Sequence, residues 1–153
     1  MEDFSKKDYV MRISNASPLG LVNITFELIF NNINLALENK DNLTNYIDYV
    51  QKAKSFLENL IDSLDADQEL SDNLFRVYTT SRGILIKAAV SNYNYKDLTD
   101  VVELLKPIAD SFKSIDDTEK SVMQKTQKVY AGLTYGKKGL DEYIESGSKG
   151  FEG

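Results

Sequence analysis

The sequence contains no cysteine and no histidine, and only two of its 153 residues are proline. Without cysteine there is no disulfide, no thiolate nucleophile and no reading of compartment from redox chemistry. Without histidine, the commonest general base and the commonest transition-metal ligand are both missing. Ser-His-Asp and Cys-His catalysis are therefore impossible. A di-iron bundle site, which pairs glutamates with a histidine three residues on, is argued against for the same reason. Long apolar runs are scarce too. The longest, around Ile24–Phe30, is interrupted by Thr25 and Glu27 and falls short of the roughly 20 residues that cross a bilayer. The opening residues MEDFSKKDYVMR are charged and carry no apolar signal core. These absences predict a soluble, cytoplasmic chain with no membrane insertion.

Positive charge is also in deficit. The net charge is −6, so the long-range field repels nucleic acid and anionic membrane. Lys137 and Lys138 do not reverse this, because Asp141, Glu142 and Glu145 follow at once. The stretch Gly132-Leu-Thr-Tyr-Gly136-Lys-Lys-Gly139 superficially resembles a phosphate loop. It lacks the GK[ST] ending and a preceding strand. No nucleic-acid partner, cofactor, metal or catalytic site is expected, and the chain does not read as an enzyme.

What is present is helix. Apolar residues make up 42% and charged residues 27%, the balance of an ordinary globular domain. Six of the eight glycines lie at or after Gly132, which divides a helix-compatible body from a tail. Within the body, four segments carry apolar residues at helical spacing. The first opens at Ser17-Pro18, an N-cap followed by a proline where a missing N–H costs nothing. Its stripe is Val22, Phe26, Ile29, Ile33 and Ala36; Leu28, Phe30, Leu35 and Leu37 widen it, with a wetter side toward Asn31, Asn32, Asn34 and Glu38. The second, about Asn42 to Leu64, buries Leu43, Tyr46, Ile47, Val50, Ala53, Leu57, Leu60, Ile61 and Leu64. The third places Leu70, Leu74, Val77, Tyr78, Leu85 and Ala88 on one face, with Ser81 as a small residue between them. Gly83 inside that helix costs about 1 kcal/mol against alanine, and close helix packing is the expected reason for it.

The fourth segment runs from about Asp97 to Ala131, through Leu98, Val101, Val102, Leu105, Ile108, Ala109 and Phe112. Pro107 predicts a kink or local break. Beyond Asp117 the period continues more weakly through Val122, Met123, Thr126 and Val129. No strand signal competes. The expected fold is all-α: an antiparallel four-helix bundle of long helices joined by short loops, with room for a short N-terminal helix and a helical C-terminal extension. Residues 1–16 are expected to form a short helix or a cap over a groove, 17–131 the bundle, and 132–153 a flexible tail.

Several local patterns together resemble the FliS family of flagellar export chaperones. Ile13-Ser14-Asn15-Ala16-Ser17-Pro18-Leu19-Gly20-Leu21 is similar to the entry into that family's first long helix. Thr25-Phe26-Glu27-Leu28 stands where the family has Leu-Tyr-Asp-Gly, keeping the aromatic and acidic characters. Glu69 to Leu74 with Val77-Tyr78, and Leu85 to Ala88, are similar to its third helix; Val101 and Leu104-Leu105 lead to Phe112, where tryptophan is common. Tyr130 to Lys137, with Lys149-Gly150-Phe151, resembles the C-terminal extension of clostridial members. The resemblance implies a chaperone that binds the disordered C-terminal region of flagellin in the cytoplasm. It would prevent premature polymerisation and support export by the flagellar type III apparatus, whose components are further candidate partners.

The first helix carries more apolar surface than one buried stripe requires. Two explanations stay open: a central helix touching several neighbours, or a groove for a partner's amphipathic helix. The candidate client-binding residues are Ile13, Leu21, Ile24, Phe26, Leu28 and Phe30, with Tyr9 and Met11 as residues seated in the groove and displaced by the client. The alternative function is a structural helical protein whose apolar face makes a homodimer.

Overall fold

A computed structural model describes residues 6–64, 69–90 and 95–115 of the chain. They form five helices: α1 (Lys6–Asn15), α2 (Pro18–Glu38), α3 (Leu43–Asp62), α4 (Glu69–Val90) and α5 (Tyr95–Lys113). There is no strand among the described residues. Helices α2, α3, α4 and α5 pack as a closed ring, each against its neighbours in sequence and α5 back against α2, while α1 lies on α2. The expected segment beyond Asp117 and the expected tail from Gly132 fall outside the described residues.

Local chemistry sets the helix boundaries. Ser17 is the N-cap of α2: its backbone is extended, and its Oγ accepts a hydrogen bond from the Gly20 N–H at 3.0 Å. Pro18 then occupies the first turn, where its missing donor is harmless. A Cβ on Gly20 would lie 3.3 Å from both the Ala16 Cβ and the Ser17 Oγ, so this tight turn favours a residue without one. Asn42 caps α3, its side chain accepting from the Asn45 N–H at 3.1 Å. At the far end of α3, the Ser63 hydroxyl donates to the Leu60 carbonyl at 2.8 Å.

The antiparallel order follows from contacts between named ends. Near the start of α3, the Tyr46 hydroxyl donates to the Ala88 carbonyl near the end of α4, at 3.1 Å. The Tyr46 ring meets Tyr95, the first residue of α5, edge to face at 5.5 Å. At mid-height, Phe26 of α2 sits 6.3 Å from Tyr78 of α4 and 6.2 Å from Phe112 near the end of α5. One aromatic side chain thereby ties three helices together, at spacings typical of attractive ring pairs.

Five expectations need correction. Gly83 is exposed, and a Cβ there would meet nothing within 4 Å, so no neighbouring helix demands a glycine. Pro107 does not break α5, which is continuous from Tyr95 to Lys113; the ring lies on the exposed face with Glu103, where water can satisfy the freed carbonyl. Asn32, assigned to the wetter side of α2, is buried and donates to the Leu28 carbonyl at 2.8 Å. Leu43, assigned to the α3 stripe, is exposed because it opens the helix before the ring closes around it. The whole of α2, finally, is long and apolar enough by length and composition to cross a membrane. Most of its apolar window is instead buried inside the bundle.

The surplus apolar surface of α2 is largely absorbed by packing. Leu19, Leu21, Val22, Ile24, Thr25, Phe26, Leu28, Ile29, Asn32, Ile33 and Ala36 are all buried. These positions cover well over half of the helix circumference, because α2 packs against α1, α3 and α5, and leave a strip along Asn23, Glu27, Asn34 and Glu38 unburied. Buried polar groups in this wall bond within the helix, as the Thr25 hydroxyl does to the Leu21 carbonyl at 2.7 Å. Asp97, near which the fourth helix is expected to start, lies in the first turn of α5 and is buried, where the helix dipole favours a carboxylate.

Candidate partner-binding surface

A ten-residue helix such as α1 is too short to be stable alone in water; its packing on α2 must hold it. Only one face of α1 is buried. Tyr9 and Ile13, one turn apart, point inward, and Ile13 is completely enclosed. Val10, Arg12, Ser14 and Asn15 are exposed, and Met11 is 55% exposed. Met11 therefore lies on the outer side of α1, away from the groove position expected for it. Burying two large side chains contributes about 1.5–3 kcal/mol each, which seats the helix without making it part of the ring.

A polar clasp lies beside the apolar seat. The Arg12 guanidinium donates from Nη1 and Nη2 to the two carboxylate oxygens of Glu27 on α2, at 2.9 and 2.8 Å. The Tyr9 hydroxyl donates to Glu27 Oε1 over a long 3.4 Å and accepts from the Asn31 amide at 3.0 Å. Arg12 also covers the Tyr9 ring at 5.1 Å, a cation–π contact. Burial, and then the Glu27 charge, push the Tyr9 phenol up. The hydrogen bonds to Glu27 hold the Arg12 guanidinium above its usual range. Both side chains of the ion pair are 45% exposed, so water screens it and it is worth at most about 1 kcal/mol. The clasp is strong in geometry and weak in energy.

The structure sorts the residues proposed from the sequence. Phe26 lies at the centre of the ring, and Phe30 stacks on it at 6.1 Å while remaining half-buried. Ile24 and Leu28 are buried on the side of α2 that also carries Glu27 and Asn31, since residues three and four apart share a face. That is the side where α1 lies. Leu21, three residues before Ile24, is buried in line with Ile24 and Leu28. Arg12, Glu27 and Asn31, which make the clasp, were not singled out from the sequence. The Arg12–Glu27 pair is separated by 15 residues and crosses two helices, so periodicity within a helix does not reveal it.

Among the described residues, no three acidic, cysteine or histidine side chains converge to hold a metal ion. The surface offers apolar contact and ion pairing. No curated protein matches the chain. The family model described as flagellar protein FliS matches residues 3–119, which is more than half of the chain and takes in all five helices. The chain belongs to the FliS family, a family of flagellar chaperones.

Proposed function

We propose that this chain is a cytoplasmic chaperone that binds the disordered C-terminal region of flagellin, keeps it from polymerising early and supports its delivery to the flagellar type III export apparatus. Family membership gives the class of work. The observation that carries the rest is the seat of α1: a short helix held on α2 by Tyr9, Ile13 and a screened ion pair. An amphipathic segment of the client replaces α1, takes up the same apolar face beside Ile24 and Leu28, and releases Tyr9 and Ile13 to touch the client beside the already exposed Met11. The exchange is nearly balanced, because the apolar surface that α1 uncovers on leaving is covered again by the client. A client that orders on binding also gives back several kcal/mol of its gross interaction energy. The resulting affinity suits a carrier that must let go.

Calorimetry with purified flagellin tests this reading. Full-length flagellin is expected to bind with a negative heat-capacity change, because apolar surface leaves water. Flagellin lacking its last helical segment is expected not to bind. Equal affinity for the two would refute the assignment of the client segment. A chain that ignores flagellin and dimerises would favour the structural alternative.

A further inference from the structure

The inner face of α4 packs Leu74, Tyr78, Ser81, Leu85 and Ala88 into the ring, and all five are buried. The outer face is polar at Asn73, Arg76, Thr80 and Lys87, but one flank of it is not the polar surface that such a helix usually shows to water. Phe75, Ile86 and Val90 are 49%, 46% and 69% exposed, and with Thr79 they recur at spacings of one or two helical turns to form a single stripe. Phe75 to Val90 spans about 22 Å of helix. At the edge of the stripe lies Gly83, with bare backbone and open space where a Cβ would project. Nothing in the bundle needs a glycine there, although it costs helix stability relative to alanine. A second backbone approaching from outside would use the gap.

Charge decides what kind of helix fits. Arg82 borders the stripe on one side and Arg76 and Lys87 on the other. Both carboxylates of α4, Glu69 and Asp72, precede the stripe; from Phe75 to Val90 the helix holds three cations and no carboxylate, which makes this stretch positive on a chain whose net charge is −6. A second copy docked face to face would set the same cations against each other, since a two-fold contact pairs a patch with itself. Carboxylates flanking an apolar stripe would be complementary.

We propose that the outer face of α4 is a docking surface for an amphipathic helix of another protein, about four turns long, whose apolar stripe is flanked by carboxylates. The surface is separate from the one beneath α1, because α4 lies across the ring from α2. A partner can therefore dock here while α1 is seated or displaced, and the inference stands independently of the flagellin assignment.

The test uses the full chain and a fluorescent synthetic helix of about 18 residues, with leucines on one stripe and glutamates on both flanks. A second peptide carries lysines in place of the glutamates. The glutamate peptide is expected to bind, to weaken in high salt, and to outbind the lysine peptide by about tenfold or more. Ile86→Asp and Gly83→Leu are each expected to weaken it by about tenfold or more, with helicity by circular dichroism unchanged because both positions are exposed. Arg76→Glu supplies a third variant should either of those disturb folding. Equal binding of the two peptides, or undiminished binding to the variants, overturns the proposal. So does a wild-type dimer that Ile86→Asp dissociates, which would make a second copy the occupant. Binding that appears only after removal of residues 116–153 would likewise assign the face to the chain itself.

Discussion

Arg12 of α1 and Glu27 of α2 form a two-point ion pair, with both guanidinium-to-carboxylate distances under 3 Å, although each side chain is 45% exposed. Good geometry with poor shielding is what a releasable contact requires. Water and salt compete for the pair as soon as α1 moves.

Glu27→Ala should therefore loosen α1 without unfolding the ring. Global stability is expected to fall by at most about 1 kcal/mol. Hydrogen exchange should quicken in residues 6–15 and stay unchanged in α3 and α4. If α1 covers the client surface, flagellin affinity should rise in the same variant, and high salt should mimic part of the effect on the wild type. Slower or unchanged exchange in α1 would mean that the pair does not restrain it.

Phe26→Asp is expected to unfold the bundle. The Phe26 ring lies within about 6.3 Å of the rings of Phe30, Tyr78 and Phe112, and an unpaired carboxylate among them has no compensation. The milder Phe26→Ala should cost about 3–5 kcal/mol, read from chemical denaturation. Native-like helicity with abolished flagellin binding in Phe26→Asp would instead place this residue in the groove.

The two glycines of the helical body should respond with opposite signs. Gly83→Ala should stabilise by up to about 1 kcal/mol, since the new methyl meets nothing and only helix propensity changes. Gly20→Ala places its methyl 3.3 Å from Ala16 and Ser17, crowding the N-cap, and a lower melting temperature is expected. Thermal melts of the two variants beside the wild type decide both.

Alkaline solution should destabilise the protein through its buried phenols. Tyr78 is pushed above its ordinary value of 10.0 by burial, and Tyr9 is raised by burial and by Glu27. Above about pH 10 the unfolded chain gives up these protons and the folded one keeps them, so the folded state binds more protons and stability falls as pH rises. Below pH 10 both states are protonated and the contribution is fully present. Tyr78→Phe keeps the ring and removes the titration. The slope of stability against pH above 10 should flatten in that variant; an unchanged slope would assign the loss to other groups.

Much of the fold can be read from residue order because helices are local objects. Ser17-Pro18 sets the start of α2 through a hydrogen bond reaching three residues, and the stripes of α3, α4 and α5 come from a period of 3.6. The same local logic explains the errors at Leu43 and Asn32. Periodicity indicates which residues share a face. It does not indicate how many faces a central helix like α2 buries, or where the neighbours stop covering an end.

The candidate site was legible only in part. Ile13, Ile24 and Leu28 stand out as apolar surplus, and the patterns around Ser17-Pro18 and Tyr78 carry the family resemblance. What tertiary packing decided is which part of that surplus is core, with Phe26 enclosed by three helices and α1 laid over the flank of α2. Packing also brought Arg12 to Glu27 and left Phe75, Ile86 and Val90 uncovered beside an open Gly83. Composition, charge, helix boundaries and family character depend on neighbours a few residues apart and are written in the chain. Pairings between helices, and the faces left without one, depend on how four cylinders close into a ring, which no local interaction specifies.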